Sequence, residues 1–208
     1  MSHHKLQPAA ETHWRKRDPV MWKLSKANPI DPKPQIEQPD GFAALVESIT
    51  HQQVSMAAAR TIHGRLVKLL GGKVTPRRVL NRSPDELRSA GLSRGKASFI
   101  LDLADKTLRG EVEFDRFGEM TDDEVIAELT AVKGIGTWTA KMFLIFFLHR
   151  PDVFAPEDLG LRVGAAEAYG VDPKKAAKLM EKQRDAWSPY NSVAARVLWQ
   201  SRRTATKA

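Results

Sequence analysis

A turn with two glycines, Gly134-Ile135-Gly136, leads directly into a very apolar run of the chain. Glycine tolerates positive φ angles and allows another backbone to approach closely. Thr137 is placed to cap a helix after the turn, so that the first free N–H groups of this helix point outwards. Because such N–H groups at a helix N-terminus bind anions well, the pattern predicts a site for one phosphate group.

A single carboxylate follows this turn. Asp158 comes twenty-two residues after Gly136, in the sequence Pro156-Glu157-Asp158. Its position suits the N-cap of a helix predicted over Leu159–Tyr169. The same carboxylate is a candidate catalytic group, and the two interpretations are compatible.

Two predicted helices position the turn. Thr121–Val132 is predicted as the preceding helix, because Thr121 and Glu124 have the spacing of a capping box. Trp138–His149 is apolar on almost all sides, which predicts a buried central helix. The unit is therefore helix, hairpin, helix.

The segments Leu129–Ala140 (LTAVKGIGTWTA) and Val153–Asp158 (VFAPED) together resemble the helix-hairpin-helix DNA glycosylase superfamily. Within it the chain is most similar to the alkylpurine branch, the 3-methyladenine DNA glycosylase II type. The hairpin occurs in many DNA-binding proteins, but the hairpin followed by this aspartate is much more specific. The resemblance extends over roughly residues 36–203.

The predicted fold class is all-α, with about ten helices, since no segment has a convincing strand pattern. The resemblance implies two helical lobes with a DNA-binding cleft between them. Residues 1–40 are expected to form an N-terminal segment with a proline-rich linker over 28–39, and residues 13–26 a short helix. Residues 41–150 are expected to form a central lobe with the helix-hairpin-helix at about 121–149. Helices in 151–208 are expected to pack with the N-terminal segment.

The resemblance implies a monofunctional DNA glycosylase that flips out and excises alkylated bases, such as 3-methyladenine and 7-methylguanine, in base excision repair. Cleavage of an N-glycosidic bond passes through an oxocarbenium-like sugar, so a carboxylate near C1′ is the main requirement. Asp158 matches the family's carboxylate, and its role is either to stabilise the cation or to activate water. Bifunctional relatives carry a Schiff-base lysine at the position of Trp138, and Lys141 does not match that motif.

Further site residues follow from matching motifs. Trp138 and Trp199 match aromatic residues of the family's base pocket, and packing in the core is the alternative for each. In the segment Ile49–Ser55, Gln53 matches the wedge that fills the space left by the extruded base, with Gln52 beside it. The alternative is that both glutamines are solvated and cap helix ends.

Contacts to the DNA backbone are assigned to the hairpin and to a second turn. In the hairpin they are Gly134, Gly136 and Thr137. In the turn Gly91–Lys96 they are Arg94 and Lys96, for which ordinary surface charges are the alternative.

The family's hairpin also binds a cation through backbone carbonyls, here those of Thr130, Val132 and Ile135. The resemblance therefore implies a structural sodium, potassium or divalent ion at this point, but no cofactor for catalysis. Lys133 stands where the family usually has proline, which adds charge and frees the turn.

The composition agrees with a polyanionic partner. The 208 residues carry 33 Lys and Arg against 25 Asp and Glu, so the net charge is +8 and the pI is about 9.8. There is no cysteine, which excludes disulfides, thiolate metal sites and the iron–sulfur cluster of some relatives. We expect an intracellular monomer, in the cytoplasm and nucleoid or in the nucleus of a eukaryote, that binds double-stranded DNA with alkylated bases and no membrane.

Two other functions remain open from the sequence. One is a non-catalytic DNA-binding module that uses the hairpin only for backbone contacts. The other is a glycosylase for a different lesion, such as a mismatched or oxidised base.

Overall fold

The computed structural model describes residues 2–33, 38 and 40–205 of the chain. These residues contain α-helices and 3₁₀ turns but no β-strand, which confirms the predicted all-α class. No helix among them is both long enough and apolar enough to cross a membrane. The helices are α1 (His3–Arg17), α2 (Pro19–Ala27), α3 (Gly41–His51), α4 (Met56–Leu69), α5 (Pro76–Leu80), α6 (Pro84–Ser89), α7 (Arg94–Leu108), α8 (Asp122–Thr130), α9 (Thr137–Phe146), α10 (Leu159–Tyr169), α11 (Ala176–Trp187) and α12 (Asn191–Ala205). The 3₁₀ turns are Phe114–Arg116 and Pro173–Lys175.

The chain divides into two compact units. The discontinuous unit contains residues 1–35 and 144–208, and the continuous unit contains residues 36–143. This division differs from the predicted boundary at residue 150, because it crosses helix α9 after Phe143. The linker predicted over residues 28–39 lies partly outside the described residues.

Side-chain caps set most helix starts. Ser83 opens α6 and Thr121 opens α8 with complete capping boxes, as their spacing predicts. The single helix expected over residues 13–26 is instead two helices. Asp18 ends α1 and caps α2, and Pro19 occupies the first position of α2, where its missing N–H costs nothing.

Helix α7 is the centre of the continuous unit, where α3, α5 and α6 pack against it. Its Ile100 and Leu103 are fully buried, as are Leu45 and Ile49 of α3. Burial of these aliphatic side chains supplies the hydrophobic stabilisation of the unit, at about 1.5–3 kcal/mol for each.

The N-terminal helices of the discontinuous unit pack on its last two helices. Trp14 of α1 is fully buried, and its Nε1 donates to the carbonyl of Trp187 in α11 at 3.4 Å. Asp18, 3 % exposed, accepts from the backbone N–H groups of Val20 and Met21. The other oxygen of Asp18 accepts from Trp187 Nε1 at 2.8 Å and from the Tyr169 hydroxyl.

This carboxylate therefore joins three helices. Burial and the hydrogen bond to Asp18 raise the pKa of Tyr169, so the phenol stays protonated and donates to the carboxylate. Asp18 consequently satisfies two donors from α10 and α11 as well as the start of α2.

Replacement of Asp18 by alanine should lower the free energy of unfolding by about 3 kcal/mol, because it removes a helix cap and leaves two donors without an acceptor. Urea unfolding followed by circular dichroism measures this change. The matched control is Asp172→Ala, which removes the exposed carboxylate that accepts from Lys174 N, and it should cost about 1 kcal/mol or less. Equal losses in the two variants would show that the Asp18 network does not brace the unit.

Candidate active site and nucleic-acid interface

Asp158 is a buried carboxylate at the start of α10. Its Oδ1 accepts from Leu161 N at 2.7 Å, which confirms the predicted N-cap. The same oxygen accepts from Trp199 Nε1 of α12 at 3.1 Å. Asp158 is 8 % exposed, so two donors from different helices hold the orientation of a largely desolvated carboxylate.

A glycine in α10 leaves room for the close approach of α12 to Asp158. A Cβ at Gly160 would stand 3.1 Å from both Asp158 Oδ1 and Trp199 Nε1. A larger side chain would therefore press on the hydrogen bond itself, so the absence of a side chain at residue 160 lets the indole reach the carboxylate.

The indole of Trp199 also packs on an aromatic ring that the sequence did not single out. The ring of Phe146, at the end of α9, lies 5.2 Å from that of Trp199 with an interplanar angle of 30°. The guanidinium of Arg196 lies over the Phe146 ring at 5.4 Å. Phe146 belongs to an apolar run that predicts only core, so no signal in the sequence separates it from its neighbours.

The predicted hairpin joins α8 to α9. Gly134 has φ +77°, and a Cβ there would overlap the ring of Phe99 from α7. Only a glycine therefore combines this backbone angle with this contact. Gly136 has no positive φ, and among the described residues no heavy atom lies within 4 Å of the place a Cβ would take.

The predicted cap of α9 needs a correction. Thr137 is the first helical residue rather than the residue before the helix, and the carbonyl of Gly136 accepts from Ala140 N at 3.0 Å. The residue before the helix is therefore Gly136. The open surface beside this glycine lies next to the first N–H groups of α9, the place where the phosphate was predicted.

Helix α7 supports the hairpin at its tip. The backbone N–H of Lys133 donates to Asp102 Oδ2 at 2.8 Å, and the ammonium of Lys133 lies 3.8 Å from the other carboxylate oxygen. Proline has no N–H, so this hydrogen bond could not form with the proline that the family usually has at this position. Asp102 and Phe99 are supporting residues that sequence reasoning missed.

The two glutamines predicted as the wedge occupy different environments. Gln52 ends α3 and its Nε2 donates to the carbonyl of Gly134 at 3.0 Å. Gln53 is exposed and has φ +54°, which is unusual for a residue other than glycine. The turn thus holds the amide of Gln52 against the hairpin and presents the side chain of Gln53.

The two basic residues predicted to contact phosphate also differ. Arg94, the first residue of α7, is exposed as expected. Lys96 is only 9 % exposed, and its ammonium donates to the carbonyl of Thr50 at 2.8 Å. Burial lowers the pKa of Lys96. Its charge is directed into the protein, so the structure does not support the predicted surface contact for Lys96.

Two other predicted features have a partial structural description. Trp138, the second residue of α9, is 45 % exposed and so is not a core residue.

In the hairpin, the carbonyl of Val132 accepts from Ile135 N at 3.2 Å, and Thr130 is the last residue of α8. The described residues contain no cluster of three or more His, Asp or Glu side chains that could hold a metal ion.

A family model covers most of the chain. Residues 46–189 match the HhH-GPD superfamily of base excision DNA repair proteins. The DNA-3-methyladenine glycosylase of Saccharomyces cerevisiae is 34 % identical over 204 residues, which cover 81 % of this chain and 69 % of that protein.

Solved structures agree with this match. The DNA-3-methyladenine glycosidase of Bacillus halodurans has a TM-score of 0.84 and 34 % identity, over 95 % of this chain and 91 % of the other. The 3-methyladenine DNA glycosylase of Schizosaccharomyces pombe, in complex with abasic DNA, has a TM-score of 0.80 and 27 % identity, over 92 % and 95 %.

The two hairpin glycines should respond differently to alanine. Gly134→Ala should lower the free energy of unfolding by about 2–4 kcal/mol, because it adds left-handed backbone strain to a steric overlap with Phe99. Gly136→Ala is the matched control and should cost about 1 kcal/mol or less, since its Cβ meets open space. Denaturant unfolding measures both, and a Gly134 variant as stable as the control would contradict the described hairpin geometry.

Proposed function

The chain belongs to the HhH-GPD superfamily of base excision DNA repair proteins, and we propose that it is a monofunctional DNA glycosylase that excises alkylated bases. The observation that carries this proposal is the buried carboxylate of Asp158, held by a backbone N–H and by an indole N–H. Asp18 is held in a similar way and has a structural role, so the position of Asp158 in the sequence Pro156-Glu157-Asp158 beyond the hairpin is what favours catalysis over a module that only binds DNA. The similar proteins named above are 3-methyladenine glycosylases, which indicates alkylated purines as the substrate class.

Asp158 supplies the negative charge that the reaction requires. As the N-glycosidic bond breaks, positive charge develops on the sugar, and a fixed carboxylate stabilises it more effectively than mobile water does. The two hydrogen bonds to Oδ1 fix the position of the carboxylate before the reaction, so no reorganisation is needed when the charge appears. The alternative role of Asp158, activation of the attacking water, also requires a carboxylate in a fixed position.

The aromatic rings beside Asp158 suit a cationic base. Purines alkylated at N3 or N7 are cationic and are good leaving groups, so they gain from stacking on electron-rich rings. Trp199 lies against the carboxylate and against Phe146, and we assign both rings to the base pocket. Trp138, with its half-exposed indole, is proposed as a further pocket aromatic on the family pattern.

Double-stranded DNA is the proposed partner of the monomer, and the hairpin is its main contact. Gly136 and Thr137 present the N-terminus of α9 to a phosphate, with Gly134 shaping the turn. Arg94 adds an exposed charge for a second phosphate. Gln53 is the proposed wedge, because its side chain is exposed on the turn between α3 and α4.

The hairpin carbonyls fit a hard cation as the family pattern implies. The carbonyl of Thr130 lies at the end of α8, where helix carbonyls lack intrahelical partners. Val132 accepts one hydrogen bond, and a carbonyl oxygen has a second lone pair. Together with Ile135 these carbonyls would hold a sodium, potassium or divalent ion, which would rigidify the hairpin and add positive charge near the phosphate.

Replacement of Asp158 by asparagine should slow base release by about a hundredfold or more, because the amide carries no charge to balance the sugar cation. Asparagine keeps an oxygen that can accept from Leu161 N, so the fold and the affinity for DNA should persist. Single-turnover release of 7-methylguanine from duplex DNA measures the rate, and fluorescence anisotropy measures binding.

The matched control is Glu157→Gln, which removes the neighbouring exposed carboxylate and should leave release within about twofold of the wild type. A catalytically active Asp158→Asn variant, or an equal loss in the Glu157 variant, would remove Asp158 from its proposed role.

The product should be an abasic site on an intact strand, because Trp138 occupies the position of the lysine that forms a Schiff base in bifunctional relatives. Borohydride should therefore trap no protein–DNA adduct, and gel electrophoresis without alkali should show no strand cleavage. An adduct that disappears in Lys141→Ala would make the enzyme bifunctional and assign the amine to that lysine.

A further inference from the structure

Three side chains of α7 reach towards the two DNA-binding elements of the continuous unit. Lys96, Phe99 and Asp102 follow one another at intervals of three residues, so they lie along one side of the helix. Lys96 bonds the carbonyl of Thr50 at the end of α3, 2.8 Å away. Phe99 packs on Gly134, and Asp102 accepts from the N–H of Lys133.

The same helix therefore holds both the end of α3 and the tip of the hairpin. These two segments lie 82 residues apart in the chain, and one side-chain bond joins them directly: Gln52 Nε2 donates to the carbonyl of Gly134 at 3.0 Å. Gln52 immediately precedes Gln53, the exposed residue in the left-handed conformation. The bond thus ties the wedge turn, residues 52–55, to the hairpin.

We propose that Gln52 is a positioning residue that fixes the wedge turn at a set distance from the hairpin, and that Asp102 acts through the same connection. This rests on the proposed function, in which the hairpin holds a phosphate and Gln53 enters the base stack. It replaces the predicted role of Gln52 as part of the wedge, because its amide already bonds the hairpin carbonyl.

The physical reason is the cost of extruding a base. Unpairing and unstacking cost a few kcal/mol for a paired base and much less for a base that is already unpaired. A wedge turn fixed to the hairpin is in position as soon as the phosphate is bound, whereas a loose turn must be ordered at that moment. Loss of the connection should therefore slow release from a paired lesion and spare an unpaired one.

The test compares two duplexes with the same 7-methylguanine, opposite cytosine in one and opposite an abasic-site analogue in the other. In single-turnover release, Gln52→Leu should be about fivefold slower on the paired duplex, the equivalent of one ordinary hydrogen bond, and unchanged on the unpaired duplex. Gln183→Leu, on α11 of the other unit, is the control for glutamine removal and should change neither rate. A general loss of structure in Gln52→Leu would lower both rates equally and would contradict the proposal.

A second pair of variants separates positioning from direct insertion into DNA. Asp102→Ala should slow release from the paired duplex in the same selective way, and Asp105→Ala, which removes an exposed carboxylate one turn away, should not. The double variant Gln52→Leu/Asp102→Ala should release the base more slowly than either single variant. Its total loss of rate should be smaller than the product of the two single losses, because both substitutions weaken the same connection. If Asp102→Ala behaves as the wild type while Gln52→Leu does not, Gln52 acts as a wedge and the proposal is wrong.

Base extrusion can also be followed without catalysis. In the Asp158→Asn background, the fluorescence of 2-aminopurine at the target position reports unstacking directly, and Gln52→Leu should reduce its rise. If the wild type released no base at all, the proposed activity would fail, while this fluorescence would still decide the role of Gln52. An unchanged fluorescence rise in Gln52→Leu would overturn the proposal on its own.

Discussion

The hydrogen bond between Trp199 Nε1 and Asp158 Oδ1 is the interaction on which the proposed chemistry depends. It joins the last described helix to the start of α10, and a side chain at residue 160 would crowd both of its atoms. Helix α12 is in turn packed against α1 and α2, so these two N-terminal helices support a carboxylate that is distant in the sequence. Helices from the N-terminal and the C-terminal parts of the chain thus both contribute to the position of the Asp158 side chain.

In the continuous unit, a single helix holds two segments that are distant in the sequence. Lys96, Phe99 and Asp102 of α7 fix a helix end and a hairpin by a buried ammonium, a ring and a carboxylate. Each residue makes a different kind of contact, so a hydrophobic or charge pattern in the sequence does not predict their shared role. Their common feature is the spacing of three residues on a helix whose other side is buried in the core.

Local signals in the sequence were sufficient where the governing physics is local. The capping boxes at Ser83 and Thr121, and Asp158 as a helix cap, depend on residues three positions apart, and all three are present. Asp18-Pro19 carries a local signal of the same kind, because it places a capping aspartate before a proline at the first helical position. The break between α1 and α2 is therefore also set by residues that are adjacent in the sequence.

Contacts between distant segments could not be derived in this way. Lys96 has the residue type of a phosphate ligand, and only the position of Thr50 shows that its charge is directed inwards. Phe146 is one of several phenylalanines in an apolar run, and its place beside Trp199 is a contact between residues 53 positions apart in the chain. The role of Gln52 likewise depends on the carbonyl of Gly134, 82 residues away.

The left-handed conformation of Gln53 has a consequence for how this protein can change. A residue other than glycine in that region costs about 1–2 kcal/mol, which glycine would recover. Selection for heat resistance alone would therefore favour glycine at this position, and the side chain proposed as the wedge would be lost. If Gln53 is the wedge, resistance to unfolding and the proposed action on DNA impose opposite demands on this one residue.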